Sequence, residues 1–185
     1  HPAGIHITPT ARGGTSPQEW IDVHTHIGPA PGNQPPTLTL TASATNAAVN
    51  GDLVFTATAV DPNGDVLAYE WDFDLPKAIF TQMLNRAQVT NRWGTAGEYR
   101  VRCVASDMKG GRASTAIVVR IGATNTYRIA GRVTSNGVPV EGVRVWTTHT
   151  NWTRTTSDGR YEIVNLRPAS RTVSAQQGSN IFARG

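Results

Sequence analysis

Two tryptophans and two arginines near the end of the chain have types and positions that suit ligand binding. The segment Val143 to Thr148 alternates, so Arg144 and Trp146 share one strand face and the neighbouring valines share the other. If the valines face a core, Trp146 points outward, and exposed tryptophans with arginines can stack on sugars or clasp peptides. We therefore predict ligand contacts at Arg144, Trp146, Trp152 and Arg154. The alternative is that Trp146 packs on a neighbouring domain or on the N-terminal segment.

The segment Asp22-Val23-His24-Thr25-His26 carries two histidines that share one strand face and could ligate one metal ion. It resembles the opening metal motif of amidohydrolases. Such enzymes need a barrel of about 250 residues with further ligands on later strands. The chain has 185 residues, and His149 is the only later histidine. We therefore predict a surface strand here, without catalysis.

The single cysteine, Cys103, cannot form a disulfide within the chain. In the alternating run Tyr99 to Val104 it shares a face with Val101, which predicts a small buried hydrophobe. A thiol nucleophile would need a base, and the sequence offers no convergent set of nucleophile, base and oxyanion donors. We therefore predict no catalytic residues and no enzyme activity for this chain.

Short alternating segments separated by turns predict an all-β protein. Turn signals recur roughly every ten residues, as in a β-sandwich. No segment has convincing helical periodicity. The predicted strands are 5–8, 20–23, 38–43, 53–60, 68–73, 89–93, 98–106, 113–121, 127–134, 143–148, 153–156, 161–164 and 171–175.

Composition and charge exclude several classes of protein. The low hydrophobic fraction of 38%, 18 glycines, 11 prolines and one cysteine exclude a coiled coil and a disulfide scaffold. No apolar run is long enough to span a membrane. Residues 1–122 carry nine Lys or Arg against ten Asp or Glu, a charge of −1, and residues 123–185 carry eight against three, a charge of +5; together they give the net charge of +4. Because these basic residues are scattered, we predict a solvated face and no nucleic-acid partner.

Residues 34–122 resemble a polycystic kidney disease (PKD) domain, an immunoglobulin-like sandwich common in secreted bacterial enzymes. The matching segments are Pro35-Pro36, Asp61-Pro62-Asn63-Gly64-Asp65, Tyr69-Glu70-Trp71-Asp72-Phe73, Gly94-Thr95-Ala96-Gly97-Glu98-Tyr99 and Ala105-Ser106-Asp107. The family usually continues Trp-Asp-Phe with Gly-Asp-Gly, whereas this chain continues with Asp74-Leu75-Pro76, so we expect a remodelled loop. We expect Trp71 to fill the core.

The PKD resemblance also implies a calcium site. Some PKD domains bind Ca²⁺ through an asparagine at the linker and aspartates at matching places. The matching residues here are Asn33, Asp61 and Asp72, with Asp65 as a further candidate. Carbonyls and waters would complete the six to eight oxygens that calcium needs. The alternative is that Asp61 only caps its turn by hydrogen bonds to the backbone.

Residues 127–178 resemble a carboxypeptidase regulatory-like domain, which is a transthyretin-like sandwich. The matching segments are Ile129-Ala130-Gly131-Arg132-Val133, Gly137-Val138-Pro139-Val140-Glu141-Gly142-Val143, Thr156-Ser157-Asp158-Gly159-Arg160-Tyr161 and Asn165-Leu166. The family pattern runs on for one or two more strands, so we expect a truncated sandwich. The whole chain then divides into an extended N-terminal segment with a proline-rich linker (1–33), a PKD-like sandwich (34–122) and a transthyretin-like sandwich (123–185).

This pair of modules resembles the C-terminal tail of secreted metalloproteases, with Gly4 to Val23 as the last strands of the catalytic domain. The resemblance implies a non-catalytic accessory and spacer module, secreted or on the cell surface, whose parent is a zinc metalloprotease. Its partners would be a polymeric extracellular substrate, protein or polysaccharide, or neighbouring domains. The alternative is a structural or adhesive subunit that assembles into filaments by strand exchange between copies, with Ile5 to Thr8 pairing with an open sheet edge.

Overall fold

The structure, a computed structural model, describes residues 5–28, 30–73, 85–123, 126–178 and 180–182. Every regular element in these ranges is a β-strand, so the predicted all-β class of tandem β-sandwiches is confirmed. No helix in the described ranges is long and apolar enough to cross a membrane. The strands up to residue 72 are β1 (Ile5–Gly13), β2 (Trp20–Ile27), β3 (Thr37–Ala42), β4 (Asn46–Ala47), β5 (Leu53–Val60) and β6 (Ala68–Asp72). Those that follow are β7 (Gln88–Asn91), β8 (Gly97–Ser106), β9 (Arg112–Ile121), β10 (Tyr127–Arg132), β11 (Thr134–Ser135), β12 (Val138–Pro139), β13 (Arg144–Trp146), β14 (Trp152–Arg154), β15 (Arg160–Leu166), β16 (Ser174–Gln177) and β17 (Asn180–Phe182).

Two sheets form the sandwich predicted over residues 34–122. One has the order β3-β5-β7 and the other β4-β9-β8-β6, with β4 parallel to β9. Alternation along β5 buries Leu53, Phe55 and Ala57. The ring of Phe55 lies 6.5 Å from that of Trp71, and the Trp71 indole donates a hydrogen bond of 2.9 Å to the carbonyl of Arg86. Trp71 therefore fills the core, as predicted, with its polar atom satisfied.

A separate core holds the strands beyond residue 126 together. A sheet of order β14-β13-β16-β17 is accompanied by the pairs β10-β15 and β11-β12. The buried side chains are Val133, Val143, Val145, Ile163 and Leu166. Because Val143 and Val145 are fully buried, the side chains that alternate with them point away from this core.

The two N-terminal strands pair with each other as an antiparallel hairpin. Ile5 lies opposite Ile27 and His6 opposite His26, with an irregularity between Pro9 and Ala11. On the histidine-bearing face His6 and His26 are half-buried and His24 is exposed, and a Cβ added at Gly110 would lie 2.7 Å from the His6 ring. The opposite face leaves isoleucines exposed.

The predicted strand limits differ from the observed ones in the N-terminal and later parts: the strands predicted at 5–8 and 20–23 extend to Gly13 and Ile27. The strand predicted at 171–175 begins at Ser174, and the one predicted at 143–148 covers only Arg144–Trp146. The remodelled loop expected after Phe73 lies outside the described residues.

The chain divides into two compact units. The first comprises His1–Ser43, Leu53–Asn91 and Val101–Ile117, and the second comprises Ala44–Asp52, Arg92–Arg100 and Val118–Gly185. These units differ from the domain limits predicted after residues 33 and 122, which stay predictions.

Candidate functional site

The structure brings all four predicted ligand residues onto one surface of the second unit. Arg144 and Trp146 belong to β13, and Trp152 and Arg154 belong to β14. In the register of this pair Arg144 lies opposite Arg154 and Trp146 opposite Trp152. Because directly opposed residues of an antiparallel pair point to the same side, the four side chains share one face, which we call the Arg–Trp face.

The arginines of the Arg–Trp face lie over its indole rings. The Arg144 guanidinium carbon is 5.7 Å from the centre of the Trp146 ring and 5.1 Å from that of Trp152. The corresponding distance from Arg154 to Trp152 is 5.9 Å. Such distances are typical of cation–π contacts. Both tryptophans are half-buried and both arginines are exposed, so the charged groups are the outermost part of the surface.

Neither arginine is neutralised by an acidic side chain among the residues that the structure describes. Arg154 donates a hydrogen bond of 2.9 Å to the carbonyl of Gly142. Within the described part of the chain, no carboxylate forms an ion pair with Arg144 or Arg154. Like charges directly opposite each other on neighbouring strands destabilise a sheet. The face therefore holds two positive charges together without a counter-ion among the described residues.

A second candidate site lies in the first unit, around the turn that begins at Asp61. One carboxylate oxygen of Asp61 accepts hydrogen bonds from the backbone amides of Asn63 (2.8 Å) and Asp65 (3.1 Å). The capping role considered from the sequence is therefore present. The other oxygen of Asp61, and Oδ2 of Asp65, are buried and accept no hydrogen bond from the described residues. Two carboxylate oxygens thus remain as candidate ligands.

A third aspartate completes this group. Carboxylate oxygens of Asp61, Asp65 and Asp107 lie within 4.8 Å of one another, and we call these three residues the acidic cluster. Asp107 is almost fully buried, and its Oδ1 accepts hydrogen bonds from the amides of Lys109 (2.7 Å) and Gly111 (2.9 Å). Asn33 donates its side-chain N–H to Asp107 Oδ2 at 2.6 Å. The linker asparagine is thereby held beside the cluster.

One lysine, Lys109, contacts the acidic cluster. The Lys109 ammonium donates a hydrogen bond to Asp65. That hydrogen bond, together with the nearby charges of Asp65, Asp107 and Asp61, raises the pKa of Lys109. Three carboxylates and one ammonium leave a net charge of −3 + 1 = −2. The charge and the two unpartnered oxygens fit a divalent cation with oxygen ligands such as Ca²⁺.

The structure thus brings Asn33, Asp61 and Asp65 together, whereas Asp72 does not belong to this group. Asp72 ends β6, where its Cα partner is Arg102 of β8. Asp107 and Lys109 were not predicted as site residues. The only signal for Asp107 was its place in the segment Ala105-Ser106-Asp107, which resembles the PKD family.

The remaining candidates, the histidines of the N-terminal hairpin and Cys103, belong to neither group. His24 lies opposite Thr8, and the rings of His6 and His26 are 6.2 Å apart. Among the residues the structure describes, the acidic cluster is the one group of three or more candidate metal ligands, and it contains no histidine. Cys103 is fully buried, as predicted, and burial raises the pKa of its thiol to about 12.

Comparison with known proteins identifies the class of domain in the middle of the chain. The family model of the PKD domain matches residues 37–120, which confirms the PKD prediction for that segment. No curated protein matches the chain.

Three solved structures illustrate what the chain resembles. The PKD domain of an M14-like peptidase from a Thermoplasmatales archaeon is 23% identical, with a TM-score of 0.43 over 49% of this chain and 99% of that one. The PKD1 domain of Epp from Vibrio anguillarum is 21% identical, with a TM-score of 0.39 over 50% and 99%. A structure of carbohydrate-binding modules from the β-sandwich superfamily is 15% identical, with a TM-score of 0.44 over 75% and 86%. Each TM-score is below 0.5, so these likenesses carry no weight for the function.

Proposed function

We propose that this chain is a non-catalytic accessory module of a secreted protein, which holds its parent polypeptide on an extracellular polymer or cell surface. The observation that carries the proposal is the Arg–Trp face, where two guanidiniums and two indole rings lie together on one side of β13 and β14. PKD domains, matched over residues 37–120, are non-catalytic. A tethered binding site raises the local concentration of whatever is attached to it.

The parent polypeptide in this proposal is a zinc metalloprotease, and residues 123–185 are its carboxypeptidase regulatory-like, transthyretin-like module. The glycines of that resemblance support the assignment. Gly137, Gly142 and Gly159 adopt φ angles of 82°, 75° and 77°, which other residues rarely adopt. Their places in the sequence pattern therefore have a backbone reason.

Retention on polymers tests the binding role. The full chain is passed over gels that contain cellulose, chitin, polygalacturonate or collagen. We expect at least one polymer to retain it and Trp152→Ala to abolish the retention. Trp20→Ala, which removes an exposed tryptophan from β2, is the matched control and should leave retention unchanged. Equal loss in the two variants, or no retention on any gel, would contradict the proposal.

We also propose that the acidic cluster binds Ca²⁺ and stabilises the first unit. The two unpartnered carboxylate oxygens and the net charge of −2 support this. A ligand that binds only the native state raises the melting midpoint. We expect millimolar Ca²⁺ to raise the midpoint relative to EGTA, and Asp61→Asn with Asp65→Asn to remove the shift. Asp52→Asn, at an exposed ion pair with Arg92, should keep it. An unchanged midpoint in the unmodified chain would rule calcium out.

A second candidate function is self-assembly. The observation in its favour is the exposed side of the N-terminal hairpin, where Ile5, Ile7, Val23 and Ile27 are all exposed. These four residues, which we call the hairpin face, lie on one side of the hairpin in the observed register, where Thr25 separates Val23 from Ile27. A second copy of the chain could cover it, and the dependence of the sedimentation coefficient on concentration tests this.

A further inference from the structure

We infer that the Arg–Trp face binds an acidic polysaccharide, whose carboxylate or sulfate groups pair with Arg144 and Arg154. This inference rests on the proposed binding function and narrows its ligand. The indole rings of the Arg–Trp face are partly covered by an arginine. Arg144 lies over both Trp146 and Trp152, so the ring faces it covers are closed to a sugar. A neutral sugar would have to displace the guanidinium to stack there.

An anion, by contrast, can add to this arrangement without disrupting it. The guanidinium has five N–H donors in a fixed fork, and a cation–π contact leaves its edge free for a bidentate acid group. The half-buried tryptophans restrict the arginine side chains before binding. Less conformational freedom is then lost when the ligand binds. In this arrangement the tryptophans are positioning residues, and the arginines make the ligand contacts.

The lack of an ion-pair partner for either arginine among the described residues also favours an anionic ligand. Arg144 and Arg154 are cross-strand neighbours, and neither is paired with a carboxylate in the described ranges. Their mutual repulsion is relieved when an anion lies between them. Residues 123–185 carry eight basic and three acidic residues, a charge of +5, which attracts a polyanion over a longer range.

The groups around the arginines favour a polysaccharide over an acidic peptide. In the register of β13 and β16, Ser174 lies opposite Trp146 and Gln176 opposite Arg144. The same face therefore offers the hydroxyl of Ser174 and the amide oxygen of Gln176, whose nitrogen donates to the carbonyl of Gly178 at 2.8 Å. Both groups suit sugar hydroxyls. A peptide that binds to a sheet commonly pairs its backbone with a strand edge. Here the two guanidinium groups lie on the face of the sheet and not along a strand edge, which favours a ligand that binds through its acid groups.

Matched pairs of polymers test the inference by affinity electrophoresis of the full chain. Dextran sulfate is compared with dextran, and polygalacturonate with methyl-esterified pectin; poly-glutamate is the peptide arm. We expect the acidic member of at least one pair to bind at least tenfold more tightly than the neutral one and than poly-glutamate. Preference for dextran sulfate would identify sulfate as the acid group, and preference for polygalacturonate would identify carboxylate.

Variants separate this inference from the broader function. Arg144→Gln and Arg154→Gln should each weaken binding about tenfold, as expected for a hydrogen bond to a charged group. Arg144→Lys should recover only part, because lysine lacks the planar fork. Arg128→Gln removes the same charge at an ion pair with Glu162 and should bind normally. Melting curves confirm that each variant is folded.

Two results would overturn the inference. If a neutral polysaccharide binds as tightly as its acidic counterpart and Trp152→Ala removes that binding, the polymer-binding function stands and the acidic ligand is wrong. If poly-glutamate binds as tightly as the acidic polysaccharides, charge alone is recognised. Failure of every polymer in both experiments would instead contradict the binding function itself.

Discussion

At the scale of single residues, Cys103 shows how burial determines reactivity. Its side chain is 0% exposed in β8, and burial raises the pKa of the thiol to about 12. Since the thiolate is the reactive form, we predict that a disulfide reagent at neutral pH does not label the folded chain. Labelling should follow the unfolding transition in guanidinium chloride. An equal labelling rate with and without denaturant would contradict the burial of this strand.

Lys109 gives a prediction about alkaline pH. Its hydrogen bond to Asp65 and the surrounding carboxylates raise its pKa in the folded state. The stabilisation is therefore complete below the unfolded-state pKa of about 10.4 and is lost as the pH rises through the folded-state value. We expect the melting midpoint of the unmodified chain to fall more steeply above about pH 10 than that of Lys109→Met. Parallel curves would show that the ammonium does not stabilise the acidic cluster.

A charge control for this experiment is Arg112→Gln. Arg112 forms an exposed ion pair with Glu70, and a guanidinium does not titrate in this range. The control should keep the steep alkaline decline. A control that behaves like Lys109→Met would mean that net charge, rather than the Lys109 titration, governs the pH dependence.

The two candidate sites were not equally predictable at the residue scale. The Arg–Trp face could be predicted because it needs only strand alternation and a short hairpin, with Arg144 and Arg154 ten residues apart. The acidic cluster could be predicted only in part, because Asp61 and Asp65 belong to one turn. Lys109 reaches Asp65 across 44 positions, and Asn33 reaches Asp107 across 74. No local pattern encodes such contacts.

At the scale of elements, Thr155, the residue after β14, is hydrogen-bonded to the segment that precedes β13. The side chain is 0% exposed, accepts a hydrogen bond from the amide of Val143 at 3.0 Å and donates one to the carbonyl of Val140 at 2.6 Å. Thr155→Val would leave both backbone groups without these partners. We expect a loss of about 1–3 kcal/mol in the free energy of unfolding, measured by urea denaturation.

The matched control is Thr39→Val in β3. Its hydroxyl makes only a long contact of 3.4 Å with the carbonyl of Thr58, and the residue is exposed. This variant should lie within about 0.5 kcal/mol of the unmodified chain. Equal effects of the two substitutions would mean that the Thr155 hydrogen bonds do not stabilise the sheet.

Strands of the PKD segment were predicted better than the N-terminal and very short ones. β5 and β9 have ends close to those predicted, and in β5 the buried positions Leu53, Phe55 and Ala57 repeat every second residue. β1 and β2 each extend well beyond the four residues predicted for them. The pairs β11-β12 and β4-β9 involve strands of two residues, which are too short to show a period. The partner of Ile5–Thr8 was also not predicted, since a hydrophobic pattern fixes a face and not a neighbour.

At the scale of the whole molecule, the chain carries two candidate binding sites of opposite charge. The acidic cluster of the first unit has a net charge of −2, and the Arg–Trp face of the second has two arginines without an ion-pair partner among the described residues. The formal net charge of +4 shows neither feature. Binding to calcium and binding to a polyanion are therefore expected to be separable by mutation.

The hairpin face leads to the prediction for assembly. Its members Ile5, Ile7 and Ile27 are 64%, 63% and 75% exposed, whereas His6 and His26 on the opposite side of the hairpin are half-buried. Burying such an apolar surface between copies would be favourable by roughly 25 cal/mol per Å². We expect the sedimentation coefficient of the unmodified chain to rise with concentration, and Ile7→Thr with Ile27→Thr to abolish the rise while keeping strand propensity.

Val138→Thr controls for a general change in surface hydrophobicity, because Val138 is 65% exposed at a distant place in the sequence, on β12. It should leave the concentration dependence intact. If the unmodified chain sediments as a monomer at every concentration, the self-assembly function is wrong.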